Sequence, residues 1–127
     1  MKFIMWQVFK ILNIYKKVKE IKVPVKTAYK FNKLCLELEN SANFYNEELN
    51  KIIQQYADRD ENGSVKKSPD GGVQIKEDQI AVAQKEIDAL WNLKIEKPSI
   101  RFTLDELDGL NLSIEDFNSM LPFIEEE

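Results

Sequence analysis

The chain has 127 residues, 43% of them hydrophobic, a net charge of −4, one cysteine and no histidine. That length and hydrophobic share suit one domain with a core of its own and exclude global disorder, while a single thiol excludes an internal disulfide. Without histidine there is no catalytic triad, zinc finger or His-carboxylate metal centre, and the four glycines form neither a phosphate loop nor a dinucleotide fingerprint.

Residues 4 to 21 predict a first amphipathic helix, with Ile4, Val8, Ile11, Tyr15 and Val18 on its stripe and Trp6, Phe9 and Leu12 widening it. Its apolar run from Phe3 to Phe9 is too short to span a bilayer and lacks a small-residue cleavage site. Its basic face suits a membrane surface, but three heptad-like stripes in one chain can satisfy each other, so no membrane partner is expected.

Val23-Pro24-Val25 breaks that helix. Thr27 then caps a long helix to about Asp58, a rod of about 48 Å at 1.5 Å per residue. Its seam runs Ala28, Phe31, Cys35, Leu38, Ala42, Tyr45, Leu49, Ile52 and Tyr56, at the spacing of three and four residues that holds a helix against a partner. Tyr29 and Leu36 form a second stripe, so the first half of the rod should be buried on two sides. Cys35 lies in the seam and reads as a small buried core residue. Phe44 lies off the seam among polar neighbours and is a candidate contact residue.

Asp58-Arg59-Asp60-Glu61-Asn62-Gly63 matches the first half of an EF-hand loop, with Asp58, Asp60 and Asn62 in ligand positions. The closing glutamate is replaced by Pro69, and acids and amides also favour tight turns, so no metal or cofactor is expected. Residues 64 to 76, with Val65, Val73 and Ile75 around Ser68-Pro69-Asp70-Gly71-Gly72, predict a short β-hairpin or a polar loop. A third helix, 77 to 92, carries Ile80, Ala83, Ile87 and Leu90 and returns antiparallel along residues 43 to 58. Alternation at Leu93, Ile95, Ile100 and Phe102 around Pro98 suits a short edge strand. Two capping boxes follow, Thr103-Leu104-Asp105-Glu106 and Ser113-Ile114-Glu115-Asp116, each opening a short helix, the second stopped by Pro122. The apolar residues after Thr103 either cap the fold or dock on a partner, and residues 125 to 127 form an acidic tail.

The expected fold is mainly α: a helical hairpin or bundle around a long central helix, with a hairpin or loop between helices and a C-terminal cap of short helices. It forms a single domain, with a base of 1–42 plus 93–127 and a stalk of 43–92. Charge is graded along it. Residues 1–34 hold nine lysines and one acid, whereas residues 96–127 hold nine acids, Lys97 and Arg101. The two ends either neutralise each other in the fold or present charged faces to protein partners. Nucleic-acid binding is disfavoured, since the lysine-rich end has no arginine and no interleaved aromatic pattern for stacking bases.

Met1-Lys2-Phe3 with Met5-Trp6, then Lys26-Thr27-Ala28-Tyr29-Lys30-Phe31-Asn32-Lys33, Arg59-Asp60-Glu61-Asn62-Gly63 and Leu121-Pro122-Phe123-Ile124-Glu125-Glu126 together resemble a family of small uncharacterised proteins encoded by phages and prophages of Firmicutes. The resemblance covers most of the chain and brings no active site with it. It implies a bacterial host cytoplasm, or alternatively a virion. With no catalytic pattern in the residues, the expected role is non-enzymatic: a protein partner, for instance a host defence or regulatory factor to be inhibited. The alternative is a tail or assembly component of the particle, with homo-oligomers through the long helix. Contact candidates are Phe44, Glu115, Asp116, Phe117 and Phe123.

Overall fold

A computed structural model describes residues 2–125; Met1, Glu126 and Glu127, named in the motifs above, lie outside the described residues. The fold is mainly helical, with five α-helices among the described residues and β-pairing limited to isolated bridges. Helix α1 is Met5–Val18, α2 Val25–Tyr56, α3 Ile80–Trp91, α4 Leu104–Leu107 and α5 Ile114–Met120. Two short 3-10 turns, Glu77–Gln79 and Leu121–Phe123, precede α3 and follow α5.

Helix α1 begins where the Gln7 side chain turns back to accept from the Ile4 backbone N–H at 2.8 Å. Lys16 and Lys17 in its last turn complement the negative end of the helix dipole. Its core face is Met5, Val8, Ile11, Ile14 and Val18; Ile4 and Tyr15, expected on that stripe, are only half-buried. Helix α2 starts two residues earlier than expected. Its first intrahelical bond runs from the Ala28 N–H to the Pro24 carbonyl at 3.0 Å, since a fixed proline φ is already suited to helix entry. Thr27 is therefore not the cap but a first-turn residue, 2% exposed. Along the seam Phe31, Cys35, Leu38 and Ala42 are buried, joined by Leu34. Tyr29 and Leu36 are each 65% exposed, so the first half of α2 is not buried on both sides.

The chain divides into two compact units, Met1–Asn43 with Lys94–Glu127, and Phe44–Leu93, taken over their described residues. In the first, Phe31 stacks on Phe102 with ring centres 4.6 Å apart, and Phe3 meets Phe123 edge-on at 5.4 Å. Each such buried ring contributes about 1.5–3 kcal/mol through removal of apolar surface from water. The segment after α3 is extended but forms no strand. Lys94 bridges Ile4, and the Ile95 N–H donates to the Phe3 carbonyl at 2.7 Å. Further on, Phe102 pairs in parallel with Ile124, donating to the Phe123 carbonyl and accepting from the Glu125 N–H, both at 2.7 Å.

The second unit packs residues 44–56 of α2 antiparallel to α3, with the Tyr45 and Trp91 rings 5.2 Å apart. Its fully buried apolar residues are few: Ala57, Ala83 and Leu90. The connection between its helices, expected as a short hairpin or a polar loop, is a loop held by isolated bridges. Three stretches around Asp58, Lys66 and Gln74 bond in a closed cycle: Lys66 N–H to Asp58 carbonyl, Gln74 N–H to Lys66 carbonyl, and Asp58 N–H to Gln74 carbonyl, at 2.8, 2.9 and 2.7 Å. The flanking bridges obey the same rule, Arg59 with Val65, Lys67 with Val73, and Ile75 with Ala57. So do the turns, where Asp60, Ser68 and Lys76 donate to the carbonyls of Ser64, Gly72 and Tyr56. The pairing thus repeats every eight residues, and the two helix ends close the third turn.

Candidate interaction surface

Helices α4 and α5 open with the same pentapeptide logic. Thr103 Oγ1 accepts from the Glu106 N–H at 3.2 Å, and Glu106 Oε1 accepts from the Thr103 N–H at 2.9 Å, a complete capping box. Ser113 Oγ accepts from the Asp116 N–H at 3.0 Å, but the aspartate is one methylene shorter and its carboxylate turns instead to Lys17 Nζ, also at 3.0 Å. In both helices the fourth residue points inward, Leu107 fully buried and Phe117 partly so. The first residue points out: Leu104 is 57% exposed and Ile114 82%. The link between them turns at Gly109 and Asn111, both with positive φ, a conformation that glycine adopts freely and asparagine tolerates.

Leu104, Leu107, Leu112, Ile114 and Phe117 consequently line an open groove of about 550 Å³, together with Asp105, Asp108, Asn111 and Ser113. Its size falls in the range of ordinary binding clefts. A second depression, about 400 Å³, lies on the other side of Ile114 against Trp6 and Lys10.

The acids of this C-terminal segment divide into two sets. Lys10 pairs with Glu115 at 3.0 Å, Lys17 with Asp116 at 3.0 Å and Lys30 with Glu106 at 2.7 Å, so the basic start and the acidic end neutralise each other within this unit. The Lys30–Glu106 pair is largely buried, and Lys30 also donates to the Arg101 carbonyl at 2.9 Å. Burial pushes the Glu106 carboxyl up; hydrogen bonds from Lys30 and Thr103 with the lysine charge outweigh that and hold it below the usual glutamate range. Asp105 and Asp108, with the exposed Glu125 farther along, form the other set. Among the described residues their carboxylates have no ion-pair or hydrogen-bond partner.

The residues singled out from sequence separate accordingly. Phe117 lines the groove. Glu115 and Asp116 are engaged in internal ion pairs, and Phe123, expected among the contact residues, is a core ring with no exposed surface. Phe44 is 45% exposed and belongs to the second unit. Asp58, Asp60 and Asn62 form turns. Asp60 Oδ1 accepts from the Asn62 and Ser64 N–H groups at 2.9 and 3.0 Å, and Asp58 faces Lys66 at 3.7 Å. Among the described residues, no group of three or more histidine, cysteine, aspartate or glutamate side chains could hold a metal ion. Cys35 is buried, and desolvation with the added charge of Glu39 pushes its thiol up to about 12, far from a nucleophilic thiolate.

Leu104, Ile114, Asp105 and Asp108 were not among the sequence candidates. Their signal was the duplicated cap: Leu104 and Ile114 each follow the capping residue and precede an acid, which places them on matching outward faces. Among the described residues, no helix is long and apolar enough to cross a membrane. No protein-family model, curated protein or solved structure matches the chain.

Proposed function

We propose that this chain works by binding protein rather than by catalysis, and that the α4–α5 groove is its binding face. The observation that carries this reading is the pairing state of the acids: Asp105 and Asp108 stand without partners beside exposed Leu104 and Ile114, while Glu106, Glu115 and Asp116 are matched to lysines. A cleft lined in part by apolar side chains and in part by free carboxylates suits a basic segment bearing large apolar side chains, whose charges steer encounter and whose apolar groups supply affinity. The phage resemblance of the sequence sets this activity in an infected bacterium, where the partner is a host factor to be inhibited or a component of the particle.

The test is capture from bacterial lysate with tagged chain, read by mass spectrometry, comparing the wild type with a Leu104→Ser/Ile114→Ser variant and with Phe44→Ala. A stoichiometric partner kept by Phe44→Ala and lost by the groove variant supports the proposal. Equal capture by all three proteins removes the groove as the binding face.

A further inference from the structure

The first unit carries a second unpartnered apolar face whose charge is the opposite of the groove's. On α2, Val25, Tyr29 and Leu36 are 85%, 65% and 65% exposed. Spacings of four and seven residues put the three on one side of the helix. Lys26 and Lys33 flank them, both exposed and without ion-pair partners among the described residues. From Ile21 to Leu36 the sequence has no acid. Lys30, on a neighbouring side, is engaged by Glu106 and Arg101 and does not contribute. This is the chemistry the groove calls for, a helix with large apolar side chains and lysines along one edge of them, and the same polypeptide supplies it.

We infer that the occupant of the α4–α5 groove is the Val25–Tyr29–Leu36 face of α2 from a second copy of the chain. The inference rests on the groove being a binding face. Lys26 and Lys33 of one copy meet Asp105 and Asp108 of the next, and the exposed apolar side chains enter the cleft. Because the face and the groove are different surfaces, the contact is heterologous: every copy offers one of each, and association continues head-to-tail into a ring or a filament instead of stopping at a two-fold dimer. A face-to-face α2 pair is disfavoured by the same charges, since it would bring the lysine-rich starts of two chains together.

Sedimentation velocity on the full chain, from about 10 µM to about 1 mM, tests this. The wild type is expected to grow past dimer with concentration, and raising salt from about 50 mM to about 500 mM should weaken the association several-fold. Two variants at exposed positions dissect it: Tyr29→Ser/Leu36→Ser removes the face, and Leu104→Ser/Ile114→Ser removes the groove. Each alone should sediment as a monomer, and an equimolar mixture, which holds one intact face and one intact groove, should stop at dimer. A wild type that stays monomeric throughout overturns the second-copy occupant; the lysate capture above then decides separately whether the groove binds anything. Association that survives in the groove variant also overturns the proposal.

Discussion

Removing the Lys30 charge should unfold the first unit more easily than loss of an exposed lysine could. Lys30 Nζ donates to Glu106 Oε1 at 2.7 Å and to the Arg101 carbonyl at 2.9 Å, with side-chain exposures of 22% and 12% for the ion pair. Glu106 Oε2 is buried without a hydrogen-bond partner among the described residues, so in Lys30→Met the carboxylate loses the counter-charge that Lys30 supplies in a site that hydrates it poorly. Breaking a buried pair costs about 3–5 kcal/mol and an exposed one at most about 1; a pair largely but not wholly buried should cost about 2–3 kcal/mol. Urea unfolding in a Trp91→Phe background leaves Trp6 as the reporter of the first unit. With a slope of about 2 kcal/mol per molar, the midpoint should fall by about 1–1.5 M. The pH dependence carries the sign. Because the folded pKa of Glu106 lies below its ordinary value, its contribution is present above about pH 4.3 and is lost as pH falls through the folded pKa. The gap between wild type and Lys30→Met should therefore narrow in acid. A loss below about 0.5 kcal/mol at neutral pH, or a gap unchanged down to about pH 3, would refute the reasoning.

Other outcomes follow from single side chains. Phe123→Ala empties a fully buried ring site and should cost about 3–5 kcal/mol in the same assay, whereas Phe44→Ala, 45% exposed and in the second unit, should cost well under half of that in the Trp91-reported transition. Thr103→Ala removes the Oγ1 acceptor of its capping box while the backbone N–H bond to Glu106 Oε1 stays, and should destabilise by about 1 kcal/mol; Ser113→Ala loses the equivalent acceptor at a more exposed cap and should cost no more in a parallel titration. Gly71→Ala forces an L side chain to φ +90 and should lower the Trp91-reported transition of the second unit while leaving the Trp6-reported one in place. Cys35 should react with a thiol reagent only on the timescale of unfolding. With its pKa raised to about 12, the folded state retains a proton that the unfolded chain releases near 9, so stability should fall as pH rises between those values, and Cys35→Ala should flatten that fall.

The helices were legible because their evidence is local. The three-and-four spacing from Ala28 to Tyr56 predicted a 32-residue helix, and Thr103 and Ser113 marked two short ones with their own side chains. Periodicity does not say which stripe finds a partner. Tyr29 and Leu36 obey the same rhythm as the buried seam and are exposed, because cover for the seam comes from as far as some seventy residues away, as the Phe31–Phe102 contact illustrates. The eight-residue cycle escaped for a related reason. Ala57, Val65 and Val73 recur at its period and Asn62-Gly63 and Asp70-Gly71 mark its turns, but two-stranded alternation predicts a hairpin, and the third stretch is recruited only once the helix ends meet. At the candidate site the sequence leaves pairing open, since its charged ends can neutralise each other or face a partner. Glu115 and Asp116 looked available in one dimension; three-dimensional proximity to Lys10 and Lys17 consumes them and leaves Asp105 and Asp108.

Two charge reversals compared for both stability and capture test that division most directly. Asp105→Lys/Asp108→Lys should unfold like the wild type but lose the captured protein, whether host factor or second copy. Glu115→Lys/Asp116→Lys, which breaks one exposed and one partly buried ion pair, should lose about 2 kcal/mol of stability and still bind. Binding kept by the first variant and abolished by the second, with unfolding unchanged in both, would contradict it.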